Sequence, residues 1–279
     1  MHIITIATDE NNWLSDWKKS AKKWGYEYTI LGKGREWKGF STKIKLIIEF
    51  LNSREPNEIV AIVDAYDLLF AGPPEELEKK FLSMSSPIVA GGEDMCILNC
   101  HKHSCKVNNE RYRWVNGGCI IGRVQALIEA YVYTLQVSPE DDQIGIAKYM
   151  DENPSKVTID GNQMIVANVR STDELNCIAG GRFQHYQTQH IPVIVHTPFM
   201  YSDFGARSEM VRHHALKKYK KNYILLKGNK EIRFSIATEA IDKIISEKDN
   251  LHSFSESLTA LNRPVETQNP DDYDPSFEA

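Results

Sequence analysis

Residues 59–63, Ile-Val-Ala-Ile-Val, form an unbroken β-branched and apolar run that stops at Asp64. A strand without a polar face has to be covered on both sides, as strands of parallel sheets are in α/β proteins. The neighbouring patterns agree. Residues 2–8 and 26–31 read as strands, and 11–24 and 43–51 as helices. Residues 75–81 read as a short helix opened by Pro73 and Pro74, with acids in its first turn, and 87–90 as a further strand. Trp13, Trp17, Ala21 and Trp24 share one stripe of the first helix, and Gly25 ends it. This β-α-β-α-β order predicts an α/β fold built on a doubly wound, mostly parallel sheet flanked by helices.

The second half is less regular. Residues 93–114 read as a long polar loop, with Asn116-Gly117-Gly118 as a glycine turn before a short strand at 119–122. Helices are expected at 124–136 and 143–150, and strands at 157–159 and 192–195. From about residue 206 the pattern changes to amphipathic helices, near 208–220, 235–247 and 254–261, followed by an acidic, proline-bearing tail. The expected division is therefore a catalytic α/β domain over 1–205, a helical extension over 206–262 and a disordered tail over 263–279. The amphipathic pattern of the extension suggests a homodimer contact.

A net charge of −5 gives no electrostatic case for nucleic acid. The basic cluster at 212–221 reads as a solvated helix face. No run approaches the ~20 apolar residues of a membrane span, and residue 2 goes straight into a strand pattern without a signal-peptide layout. A cytosolic protein, or a catalytic domain cut from a longer chain, is expected. Cys96, Cys100 and Cys105 lie near His101 and His103, but no Cys-x-x-Cys pair occurs. Reduced thiols or one local disulfide fit that segment better than zinc.

Four clusters could carry chemistry. Asp64 and Asp67 follow the buried strand, at the carboxyl edge where open α/β sheets bind ligands. They suit Mg²⁺ or Mn²⁺ and, through it, a diphosphate, although two acids capping a turn would look the same. His196 ends a second expected strand on the same edge and could complete a site more typical of Mn²⁺. Asp141 and Asp142 either favour a helix dipole or orient an acceptor hydroxyl. The loop Gly32-Lys-Gly-Arg-Glu-Trp37-Lys-Gly39 lacks the third glycine of a dinucleotide loop, and could instead cover a base or sugar with Trp37. No Gly-x-Ser-x-Gly elbow, P-loop or His-Glu-x-x-His sequence is present.

In register, these pieces resemble a GT-A glycosyltransferase, and more specifically the glucosyltransferase domain of the multifunctional procollagen lysyl hydroxylases. The resemblance is carried by residues 5–10, 31–37, 63–67 and 71–77, by Glu93 with Cys96, and by 116–122, 141–143 and 195–196. It implies a UDP-glucose donor and a Mn²⁺ ion held by Asp64, Asp67 and His196. It places Thr8, Trp37, Lys43, Asp64 and Tyr66 around the nucleotide, and Glu93, Asn116, Asp141 and Asp142 on the sugar and acceptor side. The implied acceptor is galactosyl-hydroxylysine of a collagen-like chain, glucosylated with retention. Stand-alone domains of this kind occur in large DNA viruses, which would put the protein in a host cell or virion. The chain departs from the family pattern at Leu46, Ile97 and Pro198, so galactosyl transfer to hydroxylysine and a non-catalytic carbohydrate-binding role stay as alternatives.

Overall fold

The computed structural model describes residues 1–95, 111–170 and 174–198. The expected C-terminal helices and tail, the 212–221 basic cluster, the Cys96/Cys100/Cys105 segment and Ile97 lie outside the described residues.

A six-stranded sheet runs in the order β2-β1-β3-β6-β5-β7. Its strands are β1 (His2–Ile6), β2 (Tyr28–Leu31), β3 (Ile59–Val63), β5 (Ile88–Glu93), β6 (Trp114–Arg123) and β7 (Val157–Asp160). Strands β1, β2 and β3 are parallel, as are β5 and β7. The sheet is nevertheless mixed, because β6 runs antiparallel to both β3 and β5. Because β6 is reversed against both neighbours, β5 and β7 run in the same direction as β1, β2 and β3, so the sheet is mostly parallel as expected and β6 is its one antiparallel strand. Asn116-Gly117-Gly118 is not a turn but part of β6, buried like all of that strand except its two end residues. A register shift between Ala90 and Gly91 absorbs the irregularity.

The strand periodicity of two divides the core. Ile4, Val60, Ile62 and Ile120 face α2 (Phe40–Leu51), α4 (Val124–Val137) and α5 (Asp142–Glu152). Ile3, Ala61, Val63, Val89 and Ile121 face α1 (Asn12–Trp24) and α3 (Pro74–Ser83), with Trp17 and Phe81 fully buried between them. Asn11 caps α1 by accepting from the Trp13 and Leu14 amides. Of the tryptophan stripe, Trp17 is core, in edge contact with Tyr28 and Phe70.

A second, three-stranded sheet was not anticipated. It consists of β4 (Leu68–Phe70), β11 (Ile194–His196) and β8 (Val166–Asn168), with β11 in the middle. A hairpin of β9 (Leu175–Ile178) and β10 (Arg182–His185) completes the described fold. The chain leaves β3 of the large sheet at Asp64 and enters β4 of the small one after Asp67. The two sheets therefore meet over those four residues. His196 was expected on the same sheet edge as Asp64, but it belongs to the small sheet, where it pairs with Leu68 and Asn168. No described helix is long and apolar enough to cross a membrane.

Candidate active site

Asp64 sits where β3 ends, its amide donating to Gly118 O at 3.0 Å. Asp67 is fixed through its carbonyl, which accepts from Thr197 N at 2.8 Å. His196, the last residue of β11, is buried between them. One ligand atom from each of the three lies within 4.8 Å of the others. His196 Nε2 stands 3.5 Å from Asp67 Oδ2 and 3.8 Å from Asp64 Oδ2, and it has no hydrogen-bond partner among the described residues. A buried imidazole nitrogen facing two carboxylates is costly unless a cation or a proton lies between them. Two hard oxygens and one imidazole nitrogen suit Mn²⁺, so the residues present fit a divalent ion.

Gly118 makes this arrangement sterically feasible. A Cβ there would sit 2.6 Å from His196 Nε2 and 2.8 Å from Nδ1. Only a residue without a side chain lets the imidazole lie flat on β6 at this point.

Lys43, on α2, links the metal-ligand candidates to α5. Its ammonium donates to Asp64 Oδ1 at 2.9 Å and forms an ion pair with Asp142 Oδ2 at 2.8 Å. Burial opposes the Lys43 charge, but Asp142 and Asp64 outweigh it, and its pKa lies well above the ordinary value. Burial likewise works against ionised Asp64, yet Lys43 and His196 outweigh it and hold that carboxyl below its usual range. For Asp142 burial prevails over Lys43, and the shift is upward. His196 is raised: burial lowers it, but Asp67 and Asp64 more than compensate. Asp141 is not brought into this group. It is the N-cap of α5, and its Oδ1 accepts from Ile144 N at 3.0 Å.

Glu93, at the end of β5, forms the other wall. Its carboxylate accepts from Gln143 Nε2 at 2.8 Å and from Asn116 Nδ2 at 3.2 Å. Burial pushes its pKa up to about 7 against those two hydrogen bonds. Gln143 also accepts from Gly117 N, and Asn116 Oδ1 from Gly118 N, so the acid is held in a closed amide network. Gln143 had no individual role in the sequence reading, although it stands next to Asp142.

The expected nucleotide residues fall into two groups. Tyr66 is tied to the loop after β1, its hydroxyl donating to Asp9 O at 3.0 Å, which brings it beside Thr8. Trp37, on the loop before α2, is 46% exposed and in edge contact with Phe40, the first residue of that helix. Leu46, one of the departures, is core beneath that loop.

The family described as the PLOD GT domain matches residues 1–201. The chain belongs to this family. It is a glycosyltransferase domain of hexosyltransferase type. PLOD relatives align over parts of it. Human procollagen-lysine,2-oxoglutarate 5-dioxygenase 1 is 33% identical over 102 residues, 33% of this chain and 14% of the relative. The Drosophila melanogaster procollagen-lysine,2-oxoglutarate 5-dioxygenase is 27% identical over 169 residues, 54% of this chain and 22% of the relative. The chain thus matches less than a quarter of the length of these relatives. Among solved structures it is similar to a glycosyltransferase involved in the glycosylation of the major capsid of PBCV-1. That likeness has a TM-score of 0.47 and 10% identity, and covers 76% of this chain and 98% of the other.

Proposed function

We propose that this domain transfers glucose from UDP-glucose to galactosyl-hydroxylysine of a collagen-like chain. Transfer would use Mn²⁺ and retain the anomeric configuration, giving an α-1,2 linkage. The observation that carries the reading is the convergence of Asp64, Asp67 and the unpartnered His196 Nε2 at the junction of two sheets. A bound Mn²⁺, or Mg²⁺, would neutralise the charge that builds on the departing diphosphate. Tyr66, braced against the loop that carries Thr8, offers a ring for uracil and ribose. Trp37 sits on an exposed loop of a kind that can close over a donor and exclude water.

Lys43 holds Asp64 and Asp142 on either side of one buried ammonium, which keeps both carboxylates oriented without a bound ligand. Asp142 orients the acceptor hydroxyl, with Asp141 setting the start of its helix. Glu93, with a pKa of about 7, can hold or release a proton near neutral pH on the acceptor side, and Asn116 fixes its carboxylate. The anomeric carbon becomes oxocarbenium-like as the bond to phosphate breaks. Attack from the same face, aided by the departing phosphate, retains configuration without an enzyme nucleophile.

The test is UDP release with Mn²⁺ over a panel of UDP-glucose and UDP-galactose against galactosyl-hydroxylysine, hydroxylysine and free galactosides. The expected best pair is UDP-glucose with galactosyl-hydroxylysine. Preference for UDP-galactose with hydroxylysine would make the domain a galactosyltransferase, and no release with any pair would favour a carbohydrate-binding role. Asp67→Ala should lower metal-dependent release by about 100-fold or more with an unchanged circular dichroism spectrum. Full release by that variant in excess chelator would overturn the metal-dependent reading.

A further inference from the structure

Asn168 contacts His196 in a way that fixes the roles of all the atoms involved. It ends β8, in parallel register with His196 on β11. Its Nδ2 lies 2.7 Å from Gly92 O, and its Oδ1 lies 2.7 Å from His196 Nδ1. A backbone carbonyl can only accept, so the group facing Gly92 must be the amide NH₂. The amide oxygen is then left facing the imidazole. It too can only accept, so His196 Nδ1 must carry a proton.

The surrounding contacts fix the backbone that carries Asn168 and the carbonyl it faces. Gln163 Oε1 accepts from Asn168 N at 2.7 Å, and Gln163 Nε2 donates to the same Gly92 O at 2.8 Å. Asp160 anchors the turn that carries Gln163. Its carboxylate accepts from the amides of Met164, Ile165 and Val166 at 2.9, 2.7 and 3.0 Å. Asn168, Gln163 and Asp160 are all buried, so a turned carboxamide would set its oxygen against Gly92 O with no solvent to relieve the repulsion.

With Nδ1 protonated, the neutral ring carries its lone pair on Nε2. That is the atom without a hydrogen-bond partner among the described residues, and it faces Asp64 and Asp67. We propose that Asn168 is a positioning residue: its carboxamide locks the tautomer and ring plane of His196 so that Nε2 is presented to a divalent cation shared with Asp64 and Asp67. The proposal rests on the metal reading given above. It assigns a role to a residue outside the three candidate ligands, in the manner of the partners that orient metal-binding imidazoles elsewhere.

Two variants separate shape from hydrogen bonding. Asn168→Leu keeps the branching of the side chain and removes both acceptor and donor, whereas Asn168→Asp keeps an acceptor toward Nδ1 and gives up the donor to Gly92. Mn²⁺ affinity of the full chain is measured by the electron paramagnetic resonance of free Mn²⁺ in the presence of UDP. The imidazole ¹⁵N shifts of His196 are recorded with Mg²⁺, its signal being assigned by its loss in His196→Ala. The expected result is that His196→Ala and Asn168→Leu both weaken Mn²⁺ binding by about 10–100-fold. Asn168→Asp should stay within about threefold of wild type, and wild type and Asn168→Asp should show the Nδ1–H form. Wild-type Mn²⁺ affinity in Asn168→Leu, or an Nε2–H form in wild type, would overturn the proposal. If Asn168→Leu does not fold, the tautomer of wild type and the affinity of Asn168→Asp still decide. Failure of the metal reading has a different signature: the wild-type chain itself takes up no Mn²⁺, and the role of Asn168 falls with it.

Discussion

Among the titratable residues of the site, Glu93 makes the sharpest demand on pH. It is buried, accepts two amide hydrogen bonds, and still has a pKa of about 7, because burial outweighs the Asn116 and Gln143 donors and the nearby His196 and Arg170 charges. The folded state therefore binds this proton more tightly than the unfolded chain, whose glutamate titrates near 4.5. The stabilisation is fully present below that value and is lost as pH rises toward about 7. Over this window it amounts to roughly 3 kcal/mol. Glu93→Gln has no proton to lose. In chelator, urea unfolding of wild type should weaken against Glu93→Gln by about that amount between about pH 4.5 and pH 8. The substitution also trades one carboxylate acceptor for an amide donor, but that loss is the same at every pH and leaves the change intact. Parallel stability profiles for the two proteins would mean that Glu93 is ionised throughout the range.

Elements matter here for where they deliver single residues, and α5 delivers Asp142. The helix lies against α4 at Gly145, where a Cβ would come within 2.8 Å of both Cβ and Oγ1 of Thr134. In an ordinary helix interior Gly→Ala gains roughly 0.5–1 kcal/mol. Here Gly145→Ala should instead cost about 1–3 kcal/mol, because α4 and α5 must move apart. Adding Thr134→Ala should return part of that loss, and a double-mutant cycle from thermal unfolding would measure the coupling. Strictly additive effects would show that the helices separate freely. The same helices were legible in the sequence, because ten or more residues of periodic pattern leave little ambiguity. The strands β4, β8 and β11 have three residues each, too few to show a period, and so the small sheet and the place of His196 in it were missed. Asn116-Gly117-Gly118 reads as a turn by composition, yet its glycines serve a strand that a histidine ring must lie against. Asp64 and Asp67 could be read because they punctuate an apolar run. Lys43 could be placed near the nucleotide only by resemblance, and its pairing with Asp142 depends on how α2 and α5 meet over the sheet. Asn168 gave no signal beyond a polar residue ending a short apolar stretch.

At the scale of the whole molecule, the site lies at the junction of two sheets whose strand ladders are separate. Asp64 leaves β3 of the six-stranded sheet, while Asp67 leads into β4 and His196 closes β11 of the three-stranded one. A cation held by all three would tie the sheets together in the folded state and find no such site in the unfolded chain. Stabilisation should then follow mass action, reaching about 2.7 kcal/mol at Mn²⁺ about 100 times its dissociation constant. For a domain of this size that corresponds to a rise in Tm of roughly 5–10 °C over the protein in chelator. Asp67→Asn keeps the shape of the side chain and the Asp67 carbonyl that receives Thr197 N, so the fold should persist while the Mn²⁺-dependent rise shrinks to near zero. Differential scanning calorimetry of both proteins, with Mn²⁺ and with chelator, makes the comparison. An equal rise in Asp67→Asn would place the stabilising ion elsewhere on this acidic chain, and the junction of the sheets would then be held without a cation, by contacts such as Asn168 Nδ2 to Gly92 O.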